Sequence, residues 1–538
     1  MPLDALVTGR IATFAGESGF GWVEAIGIRG GRVAFAGSAV ELETRADPHT
    51  LRIDLAPGEI VLPGITDAHL HYLGAALALE QLDLTEAPNL TSGLAQVAEA
   101  DRTLPRGTWI QGGGWDQRRW GSWPTAADLD RAAPGRPVAL WSFDHHALWA
   151  SSAALQIAGI DARTSEPRGG IIRKTEAGEP DGVVLEHACS LVMTHVPPAD
   201  EPTMHRAIGT LGRALLALGV VGVHDPGGVS VDSGLRSLDV YAHLAESGEL
   251  PIRVHASLAP EHLEAAIERG LRSGVSLGKD PEGMARVGWM KAFADGTLGS
   301  GTAALLEPRE GTTDFGLLRA DAEQLALLAE RAASAGIATQ VHAIGDAAVR
   351  AALDALAPTV STTPLMPRVE HLQLVHPSDR RRFPELGIGA SIQPVHLRED
   401  AETARREWGA RAESSGYAWR SLAEAGAVIA FGTDAPVEPI DPWPGIALSV
   451  LRRDPSWGSD VGAFGPDEAL DLATALRAAV LGPALTTREL DRGRLMPGCR
   501  ADLIVLPPAP REAEAARAAF ATVRPRLVMV GGEVVVDL

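Results

Sequence analysis

Hydrophobic and polar positions alternate near both ends of the chain. Residues 5–9 and 32–37 show this alternation between glycines close to the N-terminus, and residues 501–506, 527–530 and 534–536 repeat it close to the C-terminus. Alternation of this kind, punctuated by Gly-rich turns, is typical of short antiparallel strands. We therefore expect the two ends of the chain to build one small β-sandwich together.

Between these ends, apolar runs typical of buried strands alternate with helical stretches. This order predicts an α/β fold, a (β/α)8 barrel of the TIM type. Its eight strands are expected to end near His71, His224, His255, Lys291, His342, His371, Ser391 and Asp434. Roughly 120 residues more than one barrel unit requires separate the first strand from the second. A loop of that length without its own fold is unusual, so we expect a large insertion after strand 1.

The chain is thus predicted to divide into five segments. They are the N-terminal part of the sandwich (1–64), barrel strand 1 (65–74), an inserted lid subdomain over the barrel mouth (75–205), the rest of the barrel (206–480) and the C-terminal part of the sandwich (481–538). Within the last segment, the alanine-rich residues 511–521 predict a surface helix.

The predicted insertion is rich in tryptophan. It holds six of the 12 tryptophans of the chain, namely Trp109, Trp115, Trp120, Trp123, Trp141 and Trp149. One interpretation is that they form the core of the insertion itself. The other is that some of them line a substrate pocket, and Trp115 is the candidate for such a contact.

Composition and charge narrow the class of protein. Hydrophobic residues make up 45% and charged residues 22%, as in ordinary globular proteins. The formal charge of −21 argues against nucleic acid or an anionic membrane as a partner, because both favour a basic surface. We find neither the basic and apolar regions of a signal peptide nor an apolar run of the ~20 residues that span a bilayer. The two cysteines form no CxxC pair, so we expect a cytoplasmic protein.

Six side chains that can bind metal, directly or after modification, follow apolar strands: His69, His71, Lys291, His342, His371 and Asp434. The C-terminal ends of barrel strands are where this fold builds its active sites. His69 and His71 are two residues apart on a predicted strand, so alternation places both imidazoles on one face, where they can chelate one ion. A single histidine after a strand is more often structural, but His342 and His371 follow consecutive predicted strands.

Lys291 is the exceptional member of this set. A protonated lysine cannot bind metal, and burial of a bare ammonium group is costly. Lys291 makes sense as a ligand only when CO2 has converted it to a carbamate that bridges two ions. The alternative is a solvated or salt-bridged lysine. Asp434 ends the last predicted strand, where a carboxylate can contact one metal and also reach an attacking water.

These residues and their neighbours resemble the amidohydrolase superfamily, in the branch of N-substituted formamide deformylase-like hydrolases (amidohydrolase family 3). The resemblance covers almost the whole chain. It is carried by residues 61–71, 112–116, 291–297, 341–346, 368–371, 391–396, 431–436 and 498–505. At residues 299–303 the chain reads Gly-Ser-Gly-Thr-Ala where many relatives have arginine in third place. That difference puts an inherited preference for a negatively charged substrate in doubt.

The resemblance implies a role for each candidate ligand. His69, His71 and Asp434 would bind a more buried metal ion, His342 and His371 a more exposed one, and the Lys291 carbamate would bridge the two. Zinc is the expected metal, with manganese, iron or nickel as alternatives. In the mechanism that the resemblance implies, a metal-bridging hydroxide attacks the substrate carbonyl, and Asp434 acts as general base and then general acid.

The predicted function is therefore hydrolysis of a C–N bond in a small molecule, with a linear N-acyl or N-formyl amide as the expected substrate. Alternatives within the same class are ring opening of a cyclic amide, imide or imidazolone, and hydrolysis of a carbamate or an ester. The alternative from another class is a non-catalytic scaffold, but scaffold descendants lose ligands and all six positions are filled here.

Substrate contacts and assembly are less well determined by the sequence. His146 and His396 are candidates to face the substrate, and otherwise they are hydrogen-bonded supporting residues. The roles of His145 and Glu186 are open. Barrels of this kind often dimerise, so a homodimer is one expectation for the assembly.

Overall fold

The computed structural model of the protein describes residues 2–143, 146–167, 169–227, 234–280, 282–508 and 520–537. These residues fall into two compact units. The first unit consists of residues 1–75 and 208–538, and the second of residues 76–207.

The strands are numbered in chain order: β1 (Ala5–Ala12), β2 (Trp22–Arg29), β3 (Arg32–Gly37), β4 (Leu51–Asp54), β5 (Ile60–Pro63), β6 (Ile65–Asp67), β7 (Leu82–Asp83), β8 (Ile110–Trp115), β9 (Val138–Ser142), β10 (Ala147–Ala150), β11 (Gly170–Lys174), β12 (Pro180–Glu186), β13 (Val220–Asp225), β14 (Arg253–Leu258), β15 (Ala285–Phe293), β16 (Thr339–Ala343), β17 (Arg368–His371), β18 (Gly389–Ile392), β19 (Ile429–Phe431), β20 (Leu503–Leu506), β21 (Leu527–Val530) and β22 (Glu533–Asp537).

The α-helices are α1 (Ala39–Glu43), α2 (Tyr72–Leu79), α3 (Leu90–Thr103), α4 (Gln117–Trp120), α5 (Ala126–Ala132), α6 (Ser152–Ile157), α7 (Cys189–Met193), α8 (Glu201–Ala217), α9 (Gly234–Ser247), α10 (Leu263–Glu268), α11 (Ala322–Ser334), α12 (Asp346–Leu356), α13 (Pro377–Arg380), α14 (Arg382–Leu386), α15 (Leu397–Trp408), α16 (Ala410–Ser415), α17 (Trp419–Ala425), α18 (Pro442–Leu451), α19 (Leu472–Val480) and α20 (Gly482–Thr486). Short 3₁₀ helices cover Pro260–His262, Ala357–Thr359, Pro394–His396, Pro466–Glu468 and Phe520–Thr522.

Eight strands of the first unit form a parallel sheet in the order β6-β13-β14-β15-β16-β17-β18-β19. Strands such as β13, β14 and β16 are buried at every position, as expected for strands covered on both faces. Helices follow most of these strands along the chain. The predicted parallel barrel is confirmed.

The first and last strands of this sheet meet at their C-terminal ends, through their last residues and those that follow. The backbone N–H of Ala68 donates to the Phe431 carbonyl oxygen at 2.8 Å. The carboxylate of Asp67 accepts from the backbone N–H of Thr433 at 3.1 Å and from its hydroxyl at 2.7 Å. The barrel is therefore closed by a side chain as well as by the backbone at this seam.

A second sheet of the first unit draws strands from both ends of the chain, in the order β22-β21-β20-β5-β1-β2-β3, with β4 paired to β1. The expectation of purely antiparallel pairing near the N-terminus was wrong, because β4 and β5 both run parallel to β1. The buried face of the sheet includes Val7, Ile26, Val61, Val505 and Met529. The expectation that these strands form a sandwich stays a prediction, and so do the predicted domain bounds.

The second unit has a six-stranded sheet in the order β11-β12-β10-β9-β8-β7. Strands β7, β8 and β9 run parallel to one another, and the other pairs are antiparallel. Trp109, Trp115 and Trp149 lie buried in its hydrophobic core, whereas Trp123 is 36% exposed. For the three buried tryptophans the structure favours the interpretation that they form the core of this segment.

The predicted alanine-rich helix and the possibility of a membrane-spanning helix concern other parts of the chain. Most of the predicted alanine-rich helix at 511–521 lies outside the described residues. Among the helices of the described ranges, none has the length and apolar character needed to cross a membrane.

Candidate metal centre

The histidine side chains predicted as ligands come together beyond the C-terminal ends of the barrel strands. The ring centroids of His69 and His71 are 5.5 Å apart, those of His69 and His371 are 5.1 Å apart, and those of His342 and His371 are 4.4 Å apart. All four imidazoles are buried. Four histidines from three strand ends thus form one cluster.

Asp434 lies at the centre of this cluster. Its Oδ1 atom is 3.4 Å from Nε2 of His69 and 3.2 Å from Nε2 of His71. Its Oδ2 atom is 4.0 Å from Nδ1 of His371. Ligand atoms of His69, His371 and Asp434 all lie within 4.8 Å of one another. One ion could therefore contact ligands from three different strand ends.

His69 and His71 face the same point, but the structural reason differs from the expected one. Strand β6 ends at Asp67, so strand alternation does not explain their common orientation. Instead, the Asp67 carboxylate accepts the backbone N–H of His69 at 3.1 Å. Nδ1 of His71 contacts the carbonyl oxygen of Gly227, which turns Nε2 towards Asp434. The turn after the strand, rather than the strand itself, positions this pair.

His342 and His371 come from neighbouring strands, as predicted. Nε2 of His342 contacts the Gly296 carbonyl oxygen at 2.8 Å, which leaves Nδ1 as the nitrogen able to bind an ion. His371 is the last residue of β17 and has a φ of 74°. Few residues other than glycine adopt this left-handed backbone, and such strain concentrates at functional sites.

Lys291 lies on β15 and is 5% exposed. Burial, partly offset by the charges of Glu370 and Asp434, lowers the pKa of Lys291 to about 8. An amine with this pKa is uncharged in about a tenth of molecules at pH 7, far more than an ordinary lysine.

The burial of the cluster also determines the charge of its imidazoles. Burial, together with the charge of Lys291, lowers the pKa of His69 to about 4 and that of His342 to about 3. Burial lowers the pKa of His371 well below its ordinary value. These three histidines are therefore neutral at pH 7, and neutral imidazole is the form that binds metal.

Several buried polar atoms of the cluster have no hydrogen-bond partner among the described residues. They are Nε2 of His69, Nζ of Lys291, Nδ1 of His371 and Oδ1 of Asp434. Unpaired buried polar atoms are rare and call for a specific explanation. Imidazole nitrogens and a carboxylate oxygen are donors that suit zinc and related divalent ions. The residues present thus fit a metal site.

The charged residues that surround the proposed ligands were not predicted from the sequence. Glu370 contacts His69, and Arg368 contacts Glu370, while both side chains are completely buried. Asp67 joins the turn after β6 to Thr433. The available signal was the presence of charged residues in otherwise apolar strands, as in Arg368-Val369-Glu370-His371, which indicates buried partners.

His396, predicted as a substrate contact, lies directly beside Asp434. Its Nε2 atom is 3.2 Å from Asp434 Oδ2, and its Nδ1 atom is 3.4 Å from Glu438 Oε1. Burial lowers the pKa of His396, but hydrogen bonds to these two carboxylates outweigh burial and raise it to about 10. In this arrangement His396 supports the orientation of Asp434.

The other predicted substrate contacts belong to the second unit. Trp115 is fully buried, and its indole N–H donates to the Leu140 carbonyl oxygen at 2.8 Å. His146 is exposed and lies 3.0 Å from the Glu186 carboxylate. Residues 144 and 145, and so His145, lie outside the described residues. A substrate contact by Trp115 or His146 stays a prediction.

Comparison with known proteins gives a consistent assignment. Residues 53–536 match the model of the amidohydrolase family. Protein LONG AFTER FAR-RED 3 of Arabidopsis thaliana is 32% identical over 516 residues, which are 94% of this chain and 87% of that protein. N-substituted formamide deformylase of Arthrobacter pascens is 29% identical over 505 residues, 90% of each protein.

A solved structure also resembles the chain over nearly its whole length. It is an uncharacterized metal-dependent hydrolase from Pyrococcus horikoshii OT3, with a TM-score of 0.77 and 27% identity, covering 93% of this chain and 97% of that one. Together with the family match, this confirms the resemblance found in the sequence. The chain therefore belongs to the amidohydrolase family and is a hydrolase that acts on carbon–nitrogen bonds.

Proposed function

We propose that this amidohydrolase holds two divalent metal ions at the cluster around Asp434. The proposed ligands are His69, His71 and Asp434 for the more buried ion, His342 and His371 for the more exposed ion, and Lys291, as a carbamate, for both. The unpaired buried nitrogen and oxygen atoms of the cluster support this assignment. Zinc is the proposed metal, and manganese, iron or nickel would suit the same donors.

The surroundings of Lys291 support its proposed modification by CO2. A buried ammonium group without a partner is costly, and Nζ of Lys291 has no hydrogen-bond partner in the described part of the chain. The uncharged amine, which the lowered pKa of Lys291 favours, is the nucleophilic form that adds to CO2. The resulting carboxylate-like group gives the site an anionic ligand in place of a buried cation.

The proposed reaction is hydrolysis of a linear N-acyl or N-formyl amide of a small molecule. When bound, the two ions would supply a hydroxide near neutral pH and polarise the substrate carbonyl. Asp434 would accept the one proton of the attacking hydroxide and pass it to the leaving nitrogen. His396, at 3.2 Å from Oδ2 of Asp434, would hold that carboxylate in the orientation needed for both transfers.

The observation that carries the proposal is the position of Asp434. Its Oδ1 atom lies within 3.4 Å of two imidazole nitrogens and has no hydrogen-bond partner among the described residues. A carboxylate in this position can bind an ion and also reach a reacting water. The choice of an amide is supported by the family and by the 29% identity to the formamide deformylase.

The test is mass spectrometry of zinc-loaded enzyme incubated with a pool of candidate substrates. The pool contains linear N-acyl and N-formyl amides, cyclic amides, imides and imidazolones, and carbamates and esters. Two fragments from a linear amide are expected, with metal-free enzyme as the control. A single product heavier by one water would establish ring opening instead. No reaction by fully metallated enzyme would overturn the amide assignment.

A further inference from the structure

Nδ1 of His69 lies 2.6 Å from Oε2 of Glu370, and both side chains are at most 1% exposed. A carboxylate in an ion pair is a pure acceptor, so the imidazole must carry its proton on Nδ1. The lone pair is then on Nε2, the nitrogen that lies 3.4 Å from Asp434 and has no hydrogen-bond partner in the described residues. The proton position on this ring is therefore determined by Glu370.

Glu370 is itself fixed from its other side. Nε of Arg368 lies 2.6 Å from Oε1 of Glu370, and neither side chain is exposed to solvent. This close ion pair holds the carboxylate in place, while the Nε–H of Arg368 donates its hydrogen bond to Oε1 of Gln340 at 3.2 Å. Because each carboxylate oxygen contacts one neighbour, Glu370 cannot rotate without losing either His69 or Arg368.

Arg368 is held by four contacts besides those of its Nε atom. Its Nη2 atom donates to the Ala68 carbonyl oxygen at 2.8 Å and to Oε1 of Gln340 at 2.7 Å. Its Nη1 atom lies 2.9 Å from Nδ1 of His224, and the guanidinium lies 4.0 Å from the centroid of the Trp289 ring. The contact to Ala68 also fixes the backbone immediately before His69.

We propose that Glu370, held by Arg368, fixes His69 in the tautomer with its proton on Nδ1 and thereby presents Nε2 to a metal ion. Both are positioning residues, since neither contacts the cluster's open donor atoms. Metal-binding histidines commonly depend on such a partner at the second ring nitrogen. The inference rests on the proposed metal centre for its consequence, but the tautomer itself can be measured without metal.

The variant that tests this inference is Glu370→Gln, which keeps the shape and removes the charge. If the amide oxygen faces His69, the amide NH2 group meets the donor Nε of Arg368. If the amide oxygen faces Arg368, the NH2 group meets Nδ1 of His69 and requires the ring proton to move to Nε2. Either orientation loses one contact, and the second blocks the nitrogen that would bind metal.

Two measurements give the result. Nitrogen-15 NMR of the metal-free wild-type protein, with the His69 signals assigned through His69→Gln, should show the proton on Nδ1. Competition of zinc with a chromogenic chelator should show an affinity about 10- to 100-fold weaker in Glu370→Gln. A proton on Nε2 in the wild-type protein would overturn the proposal, and so would an unchanged affinity in a folded variant with its proton still on Nδ1.

The matched control is Asp502→Asn. It breaks another buried pair, between Asp502 and Arg253 at 3.1 Å. Arg253 is the first residue of β14, so this pair lies at the N-terminal end of a barrel strand, whereas the proposed ligands lie at the C-terminal ends. It should lower stability and leave zinc affinity unchanged. If Glu370→Gln does not fold, the tautomer in the wild-type protein still decides the inference. If the wild-type protein binds no zinc, the proposed function fails while the tautomer remains a separate test.

Discussion

Single residues at the cluster have a backbone conformation that most side chains avoid. The φ angles of His371 and Asp434 are 74° and 64°, and residues other than glycine rarely occupy this region. Each such residue costs of order 1–3 kcal/mol. The contacts that fix them are strong: the backbone N–H of Asp434 donates to the His69 carbonyl oxygen at 2.6 Å. Strain at both residues is thus tied to the placement of the proposed ligands.

Replacement of Asp434 by asparagine should separate chemistry from folding. Among residues other than glycine, asparagine tolerates the left-handed backbone well, so the fold should survive. The variant lacks the proton acceptor, and turnover of the amide found in the substrate screen should fall by about 100-fold or more. Elemental analysis would establish the metal content of each preparation. Near-normal turnover by a fully metallated Asp434→Asn enzyme would contradict the role assigned to this carboxylate.

At the scale of secondary-structure elements, the first and last barrel strands meet at the seam between β6 and β19. Proposed ligands lie at the same seam. A Cβ atom at Gly432 would come within 2.5 Å of the backbone nitrogen of His69 and 2.7 Å of its Cβ. Only glycine allows this approach, because real Cβ atoms do not come so close to backbone. The seam therefore requires glycine for reasons of packing.

Gly432→Ala should consequently disturb both stability and the site. Forced overpacking costs about 1–3 kcal/mol, which urea unfolding would measure, and zinc uptake should fall because His69 must shift. Gly37→Ala is the control, since a Cβ there meets no atom within 4 Å. Equal stability and zinc uptake in the two variants would show that the seam can relax around a side chain.

A separate charged group joins strands β14 and β15. Glu489 lies 3.6 Å from His255, 3.2 Å from Arg286 and 3.0 Å from Arg492. Burial raises the pKa of Glu489, but the charges of His255, Arg492 and Arg286 outweigh burial and lower it to about 2. Since this is below the ordinary value of 4.5, the carboxylate stabilises the fold above pH 4.5. The contribution is lost as the pH falls from 4.5 towards 2.

Glu489→Gln should therefore reduce the free energy of unfolding at pH 7 by up to about 3 kcal/mol. The difference from wild type should shrink as the pH falls below 4.5, which denaturant unfolding at several pH values would show. The control is Glu264→Gln, because Glu264 pairs with Arg331 on the surface and such pairs contribute little. A difference that does not change with pH would mean that Glu489 acts through packing instead of charge.

The whole molecule, finally, consists of a unit built around the barrel and a second unit of residues 76–207. Every proposed metal ligand belongs to the first unit. Both ends of the chain also belong to it, because β5 pairs with β20 in one sheet. The stability of this unit is therefore expected to depend on the metal.

Removal of metal should lower the melting temperature of the protein. An ion that binds only the folded state adds about 2.7 kcal/mol at a concentration 100 times its dissociation constant. Scanning calorimetry of chelator-treated protein should show one unfolding transition, and its melting temperature should rise as zinc is added. The same titration of His69→Gln should show a smaller shift. A melting temperature that is independent of zinc in the wild-type protein would contradict the proposed metal centre.

The sequence was sufficient to predict the barrel and its clustered histidines. Each proposed ligand position follows an apolar run, and parallel strands bring their C-terminal ends to one place whatever their exact register. Local patterns also identified His396 as a site neighbour. These predictions depend on short-range periodicity, which the sequence records directly.

What the sequence could not predict depends on contacts between distant segments. Glu370 and His69 are 301 positions apart, and no local pattern pairs them. The turn after β6 that orients His71 uses the carbonyl of Gly227, a backbone group without a sequence signal. The parallel pairing of β4 and β5 with β1 likewise follows from the tertiary arrangement, since alternation predicts a strand and leaves its direction open.

The seam between Asp67 and Thr433 joins positions that are 366 residues apart, and this has a consequence for synthesis on the ribosome. At a synthesis rate of about 5–20 residues per second, roughly 20 to 75 seconds pass between the addition of His69 and that of Asp434 to the chain. Through that interval, the growing chain exposes the apolar strands that later close the barrel. Chaperones that protect long nascent chains should therefore have more influence on the yield of active enzyme than on the rate of its final folding step.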